Sequence, residues 1–593
     1  MDRIVPTRTH AGARPWATQT ACSLVMACAS GVALGAPAPG PGPAPGGPES
    51  APATRAPLTA CTSLTGHAID ARDIALPTGG ARIEAAQLIP AEPARPGEKR
   101  PRHATPEYCA ITGVIAPVDP TAPPIRFQLN VPTAWNHKAV HVGGGGLNGR
   151  IPPNLAEVAA SGSPISGAFP PDAPYPLALG YANYGGDSGH DEPGLQAGWA
   201  LHDEAWTNFG HAALKKTRDA AYAVLQALYG TTPSVNYFMG QSQGGREALE
   251  VAQRYPGDYD GVVATAPLLG YVPHVLHKAI VAGMQTGPGW IPPALQPVIG
   301  AEVMRQCDAL DGLVDGIISH YQACAAQFDP VSRPQAYDTL RCPDDALATL
   351  DHACLSAAQI ATLHRMRTPL AFDYPLANGW TTFPGYGVGR EGLPSWLNLA
   401  AQPAPGEAPA LGQPGATVSY GILKDPKANP AEVSLTRDQA KIQAASALID
   451  STNTDLTAFF ARGGRLIVKV GSADYNANPR MMMRYYDEVV GRFGQAKVDE
   501  HVRFYVQPDG NHNGEGVDAI AGKPIPQYVN LITLMTDWVE HGTVPPDAPV
   551  ITAAAAQPPH TVSATRPLCR YPLYPHYDGQ GDTRQAASFR CVR

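Results

Sequence analysis

Residues 237–250 read YFMGQSQGGREALE, and inside them Gly240-Gln241-Ser242-Gln243-Gly244 has the spacing G-x-S-x-G. The spacing alone decides little. With 60 glycines in 593 residues, a chance match arises roughly once in every few such chains. The flanks decide. "VNYFMG" (235–240) is a compact apolar run and predicts a buried strand. "GGREALEVAQRYP" (244–256) predicts a helix that stops at Pro256. A strand, a sharp turn at a serine and a helix make a nucleophile elbow. Its strained turn needs small neighbours, which Gly240 and Gly244 supply. The helix N-terminus would also aim backbone N–H groups at a developing oxyanion.

Working outward, strand and helix signals alternate. "KAVHVGGGGLNG" (138–149) and "PLALGYANYGGDSGH" (176–190) each predict a strand running into a loop. Residues 203–230 have helical apolar spacing and close on Gly230. "YDGVVATAP" (259–267) is another strand. The alternation fades over 268–450 and resumes with "GGRLIVKVGSADYN" (463–476), "MMMRYYDEVVGRFG" (481–494), "HVRFYVQPDGNHNGEG" (501–516) and a helix over 527–542. This predicts an α/β fold: a mostly parallel sheet at residues 59–267 and 451–593, interrupted by a large inserted lid domain at 268–450.

A serine hydroxyl needs a base, and in this order of elements the partners follow as Ser…Asp…His. Asp474 lies just after the strand "LIVKV" and His512 just after "VRFYV", where strand C-termini place active-site loops. Ser242, Asp474 and His512 are therefore the candidate nucleophile, acid and base. Asp474 could equally be a turn former, and Asp509 lies close to His512. The order of the three carries the assignment. The N–H of Gln243 and that of Gly146, in the run Gly143–Gly146, are the candidate oxyanion donors.

Net charge is -8, which leaves no basic footprint for nucleic acid. Hydrophobic residues make up 44%, enough for a packed core despite 62 prolines. Arg3, Arg8 and Arg14 precede "ACSLVMACASGVALGA" (21–36), which predicts a secretory signal over 1–36 and a secreted or periplasmic protein. The run is too short for a membrane span. Cys28 after "LVMA" leaves an outer-membrane lipoprotein as an alternative. Residues 37–58 predict a Pro/Gly-rich linker. Beyond the signal eight cysteines remain, an even count that suits disulfides in an exported chain. About 105 pairings are formally possible. Short loops favour Cys61–Cys109, Cys307–Cys324, Cys342–Cys354 and Cys569–Cys591.

Asp308, Asp311 and Asp315 crowd one glycine-punctuated loop. Either the turn is simply solvated, or a hard cation such as Ca²⁺ neutralises it, with the carbonyls of Leu313 and Ile317 completing the shell.

Three long blocks carry a resemblance: "GQSQGGREALEVAQRYPGDYDGVVATAP" (240–267), "CDALDGLVDGI" (307–317) and "RPLCRYPLYPHYDGQGD" (566–582). The chain resembles the tannase/feruloyl esterase family of secreted α/β-hydrolases. The resemblance implies a serine carboxylesterase for esters of aromatic acids. It assigns Ser242, Asp474 and His512 as nucleophile, acid and base. It implies structural Ca²⁺ at Asp308, Asp311, Leu313, Asp315 and Ile317, and the four neighbour disulfides. The family usually joins a cysteine before the serine to one after the histidine. Here Gln241 and Asn513 stand at those positions, so a hydrogen bond across the same gap is expected, with a looser tether.

For the substrate, the segment 378–399 offers Trp380, Phe383, Tyr386 and Trp396, which suit an aromatic acyl group or form lid core. Arg390 is a candidate for a substrate carboxylate. A plant phenolic ester is the expected substrate. A terephthalate half-ester, or an inactive hydrolase fold kept for binding, are the alternatives.

Overall fold

The computed structural model describes residues 54–55, 58–97, 102–153, 155, 169–192, 197–348, 352–387 and 412–593. The signal segment, most of the linker, Arg390 and Trp396 lie outside the described residues.

Ten strands form one sheet. In chain order they are β1 (Ala68–Ile69), β2 (Ala81–Ile89), β3 (Tyr108–Ile115), β4 (Ile125–Pro132), β5 (Lys138–Val142), β6 (Ala182–Gly186), β7 (Val235–Gln241), β8 (Gly261–Thr265), β9 (Arg465–Gly471) and β10 (Val502–Gln507). In space the order is β10-β9-β8-β7-β5-β6-β4-β3-β2-β1. The pairings from β10 across to β6 are parallel, and those from β6 to β1 are antiparallel. Burial follows this division. β8 and β10 are buried at every position, as expected of strands covered on both faces. β3 alternates between buried and partly exposed residues, as expected of an antiparallel strand with one wetter face.

Helices cover the parallel part. Asp203–Thr207 runs through a π-helical turn, Asn208–Ala212, into α1 (Ala213–Tyr229). Gly230 ends α1 in the left-handed region, φ 72°, where a glycine carries no Cβ penalty. α2 (Gln243–Arg254) follows β7 directly, and α3 (Tyr271–Met284) follows β8. α4 (Pro479–Phe493) lies between β9 and β10, and α5 (Leu531–His541) follows β10. Alternate residues of β7 serve opposite faces. Tyr237 and Met239 pack with Leu531, Met535 and Trp538. Phe238 joins Leu249 and Ala252 on the side of α2.

The segment 268–450 enters after β8 and returns before β9. Its described parts are mostly helical, including Gln296–Cys307, Ala357–Arg367 and Gln439–Ile449, with one small antiparallel pair, Leu370–Ala371 against Thr382–Phe383. One apolar cluster runs from α2 and β8 into this segment, through Val275 and Leu363 to Phe383. The four disulfides join Cys61 to Cys109, Cys307 to Cys324, Cys342 to Cys354 and Cys569 to Cys591. No described helix is long and apolar enough to cross a membrane.

Candidate active site

Ser242 sits between β7 and α2 with φ 63° and ψ -119°. That is a strained conformation for a residue with a side chain, and it lifts the hydroxyl out of the turn. The turn closes only because its neighbours are glycines. A Cβ on Gly240 would lie 2.1 Å from the Gly244 carbonyl oxygen, and one on Gly244 would lie 2.6 Å from the Gly144 carbonyl oxygen. The second contact also shows that the glycine loop after β5 abuts the elbow.

The C-terminal ends of β9 and β10 bring the other two residues to the serine. His512 Nε2 lies 2.8 Å from Ser242 Oγ. His512 Nδ1 lies 3.0 Å from each carboxylate oxygen of Asp474. A carboxylate only accepts, so Nδ1 carries the proton and Nε2 is left to accept from the serine hydroxyl. Asp474 is fully buried. Its Oδ1 accepts the N–H groups of Asn476 at 2.7 Å and Ala477 at 2.8 Å, which fix the carboxylate plane. Asp509, the near neighbour of His512 in sequence, is turned elsewhere: its Oδ2 accepts the Ile318 N–H at 3.1 Å.

The N–H of Gln243 makes no hydrogen bond to another described residue, and neither do those of Gly145 and Gly146. Gly146 has φ 63°. These donors, without a partner among the described residues, lie at the edge of the elbow. The Gly144 N–H is not free, since Glu247 takes it.

Gln241 and Asn513 do face each other. The Gln241 side-chain amide donates to the backbone carbonyl of His512 at 2.7 Å and to Asn513 Oδ1 at 3.2 Å. Gln241 is 4% exposed, so these bonds are shielded from water. The pair thus ties the loop of His512 to the strand of Ser242. The double variant Q241C/N513C is expected to form a disulfide here and to gain about 2–4 kcal/mol in stability. Intact-mass analysis and thermal denaturation would check it. A reduced pair in the folded, oxidised protein would overturn the expectation.

Sequence reasoning missed the side of the site built by α3. Lys278 is buried and donates to Asn476 Oδ1 at 3.3 Å. Burial holds its ammonium down to about 7, with the Asp474 charge acting the other way. His274 Nδ1 meets the Tyr386 hydroxyl at 3.0 Å. Burial keeps His274 well below the usual imidazole range, and protonation of Lys278, His277 or His512 would push it further the same way. The only sequence signal for Lys278 is a lysine inside an apolar run. Trp380, Phe383 and Tyr386 are buried. Trp380 donates to Glu488 and lies under the Arg484 guanidinium, while Phe383 packs on His277. Here they act as core of the inserted segment.

The acidic loop gathers oxygen donors only, which suits a hard cation in kind. Asp308, Asp311 and Asp315 lie within it, and no described residue donates to the carbonyls of Leu313 or Ile317. Burial raises the carboxyl of Asp311 to about 6, and raises that of Asp308, with the Asp315 charge adding to both. The placement is less complete. Asp308 accepts from Gly316 N–H, Asp311 from Ser319 N–H, and Asp315 from Arg566 at 2.5 Å. Among the described residues no three His, Cys, Asp or Glu side chains converge to hold a metal ion.

The chain is similar to known proteins over most of its length. The family model described as tannase and feruloyl esterase matches residues 109–592. An esterase of Agrobacterium fabrum is 35% identical over 548 residues, covering 90% of this chain and 93% of that one. The mono(2-hydroxyethyl) terephthalate hydrolase of Piscinibacter sakaiensis is 30% identical over 580 residues, covering 88% and 90%. The crystal structure of feruloyl esterase B from Aspergillus oryzae superposes with a TM-score of 0.71 at 21% identity, over 90% of this chain and 99% of that one.

Proposed function

Since the chain belongs to the tannase and feruloyl esterase family and is a carboxylic ester hydrolase, we propose that it cleaves esters of aromatic carboxylic acids through an acyl-enzyme on Ser242. The observation that carries this reading is the unbroken chain Ser242 Oγ, His512 and Asp474.

The proposed steps rest on this arrangement. Ser242 Oγ attacks the ester carbonyl carbon while His512 Nε2 takes the hydroxyl proton. The carbonyl oxygen becomes an oxyanion, received by the N–H groups of Gln243 and of the glycine loop, with Gly146 as the assigned second donor. His512 Nε2–H then gives its proton to the departing alkoxide oxygen, and the alcohol leaves. Water attacks the acyl carbon, His512 takes a proton from it, and collapse returns that proton to Ser242 Oγ and frees the acid. Asp474 remains a carboxylate throughout and stabilises the imidazolium.

The substrate class rests on kinship. The first choice is a plant phenolic ester, as the family model's description suggests. A second reading, a terephthalate half-ester, is favoured by the relative from Piscinibacter sakaiensis. Purified protein and its Ser242→Ala variant would be compared on methyl ferulate, methyl gallate, a terephthalate half-ester and a p-nitrophenyl ester. Ser242-dependent turnover concentrated on one aromatic ester supports the reading and names the branch. Equal turnover by both proteins would overturn it.

The acidic loop is proposed to hold Ca²⁺ as a structural ion, through Asp308, Asp311, Asp315 and the carbonyls of Leu313 and Ile317. Its support is the oxygen-only donor set of the loop and the carbonyls of Leu313 and Ile317, to which no described residue donates. Removal of Ca²⁺ by a chelator is expected to lower the melting temperature, and re-addition to restore it, because an ion that binds only the folded state stabilises it. An unchanged melting curve would count against the site. The loop touches the His512 segment, where Ala519 N–H bonds the Gly316 carbonyl. We also read residues 268–450 as the lid and residues 1–36 as an export signal.

A further inference from the structure

A glycine loop has no side chains with which to hold its own shape, yet this one must present N–H groups at a fixed place. One buried carboxylate grips it. Glu247, on α2, is 2% exposed. Its Oε2 accepts the Gly144 N–H at 2.9 Å, and its Oε1 accepts the side-chain amide of Asn148. Asn148 has φ 54°, and its own N–H bonds back to the Gly145 carbonyl at 3.0 Å. Glu247 therefore clasps both ends of the turn 144–148. The N–H groups of Gly145 and Gly146, which have no partner among the described residues, lie between the two grips.

The clasp leaves no slack. A Cβ on Gly143 would fall 2.8 Å from Glu247 Oε2, and a Cβ on Gly144 would fall 2.5 Å from the Asn148 side chain. On its far side, Gly143 N–H is pinned to the Met239 carbonyl of β7 at 2.8 Å. Burial raises the Glu247 carboxyl above its usual range, opposed by the Arg246 charge and by these N–H donors. A buried group of this kind is costly unless its donors are in place, so it favours one arrangement of the loop.

We propose that Glu247 is a positioning residue for ester hydrolysis, holding the glycine loop so that its free N–H groups meet the oxyanion formed when Ser242 attacks. The inference rests on the Ser242 mechanism proposed above. Neither Glu247 nor Asn148 touches the reacting atoms in this account. They act through the loop.

The test compares the full-length protein with Glu247→Ala and Glu247→Gln, on a p-nitrophenyl ester and with an arylboronic acid that mimics the tetrahedral state. Glu247→Ala is expected to lower kcat by about 10- to 100-fold, less than the loss on deleting an oxyanion donor outright. KM should stay within about twofold, because a misplaced donor costs the transition state more than the ground state. Arylboronate affinity should fall by the same factor as kcat. Glu247→Gln should recover most of the activity: its amide oxygen still accepts the Gly144 N–H, and Asn148, whose Oδ1 has no partner among the described residues, can turn its amide so that this oxygen accepts the new NH₂. Unchanged kcat in folded Glu247→Ala would overturn the proposal. So would an equal loss in both variants that tracks their melting temperatures. If Glu247→Ala does not fold, Glu247→Asp replaces it, with the reach shortened by one methylene. The same kcat loss is then expected, and unchanged kcat overturns the proposal. Failure of the Ser242 mechanism is seen separately, as turnover that survives Ser242→Ala.

Discussion

Ser242→Ala is expected to lower kcat by on the order of 10⁶-fold, and Asp474→Asn by about 10⁴-fold, with little change in KM for either. The serine loss removes the nucleophile itself. The asparagine loss follows from the hydrogen bonds that surround Asp474. Its Oδ1 accepts two backbone N–H groups, from Asn476 and Ala477. An asparagine must therefore keep its oxygen there, because an NH₂ in that place would face two donors. Its NH₂ is then directed at His512 Nδ1, where Oδ2 stood at 3.0 Å. The imidazole can satisfy that donor only by moving its proton to Nε2. Nε2 then no longer accepts from the Ser242 hydroxyl at 2.8 Å, and the base is lost although no atom has moved far. Steady-state kinetics with a chromogenic ester, and an unchanged melting temperature for Asp474→Asn, would check this. A loss under tenfold would mean that another group orients His512.

The residues in that argument were legible because their signals are local. Ser242 declares itself through a strand, two glycines and a helix within one short stretch. Asp474 and His512 each follow an apolar strand, in the order the fold requires. The disulfide partners are close in sequence, so loop length alone favoured them. Glu247 and Arg246 gave no such signal. On an amphipathic helix a charged pair reads as a solvated face, and both are buried only because the loop 143–148 and the segment 209–210 close over them. α3 was missed for a related reason. It is apolar and buried on nearly every side, so it has no period to read. The antiparallel half of the sheet, β1 to β4, was also unread, because its strands lie apart from the alternating pattern that marks the parallel half. Gln241 and Asn513 were expected to meet only because their replacement was paired. The distances now give that expectation a donor and two acceptors.

Arg246→Ala is expected to cost about 3–5 kcal/mol of stability, the range for removing one partner from a buried charged network. The Arg246 side chain is fully buried. Its Nε donates to Gln243 Oε1 at 2.9 Å. Its Nη1 donates to the carbonyls of Gly210 at 2.8 Å and Ile449 at 3.1 Å, and its Nη2 to that of Phe209 at 2.9 Å. Phe209 and Gly210 belong to the π-helical turn before α1. Ile449 closes the last helix of the inserted segment. One guanidinium thus joins two separate segments, the π-helical turn and the end of the inserted segment, to the helix that begins at Ser242. Its loss leaves three carbonyls without this donor and removes the positive charge beside Glu247 and Glu250. Arg246→Met keeps much of the volume and should lose nearly as much as alanine, because the cost lies in unpaired polar groups rather than in a cavity. Arg246→Lys keeps the charge but cannot span all four acceptors, and should fall between. The midpoint of urea denaturation, at unchanged slope, reads each loss. Hydrogen exchange at the first turn of α2 should rise in the alanine variant even where the sheet stays protected, because the guanidinium anchors that turn. A methionine variant as stable as the parent would show that packing, not hydrogen bonding, holds these three segments together.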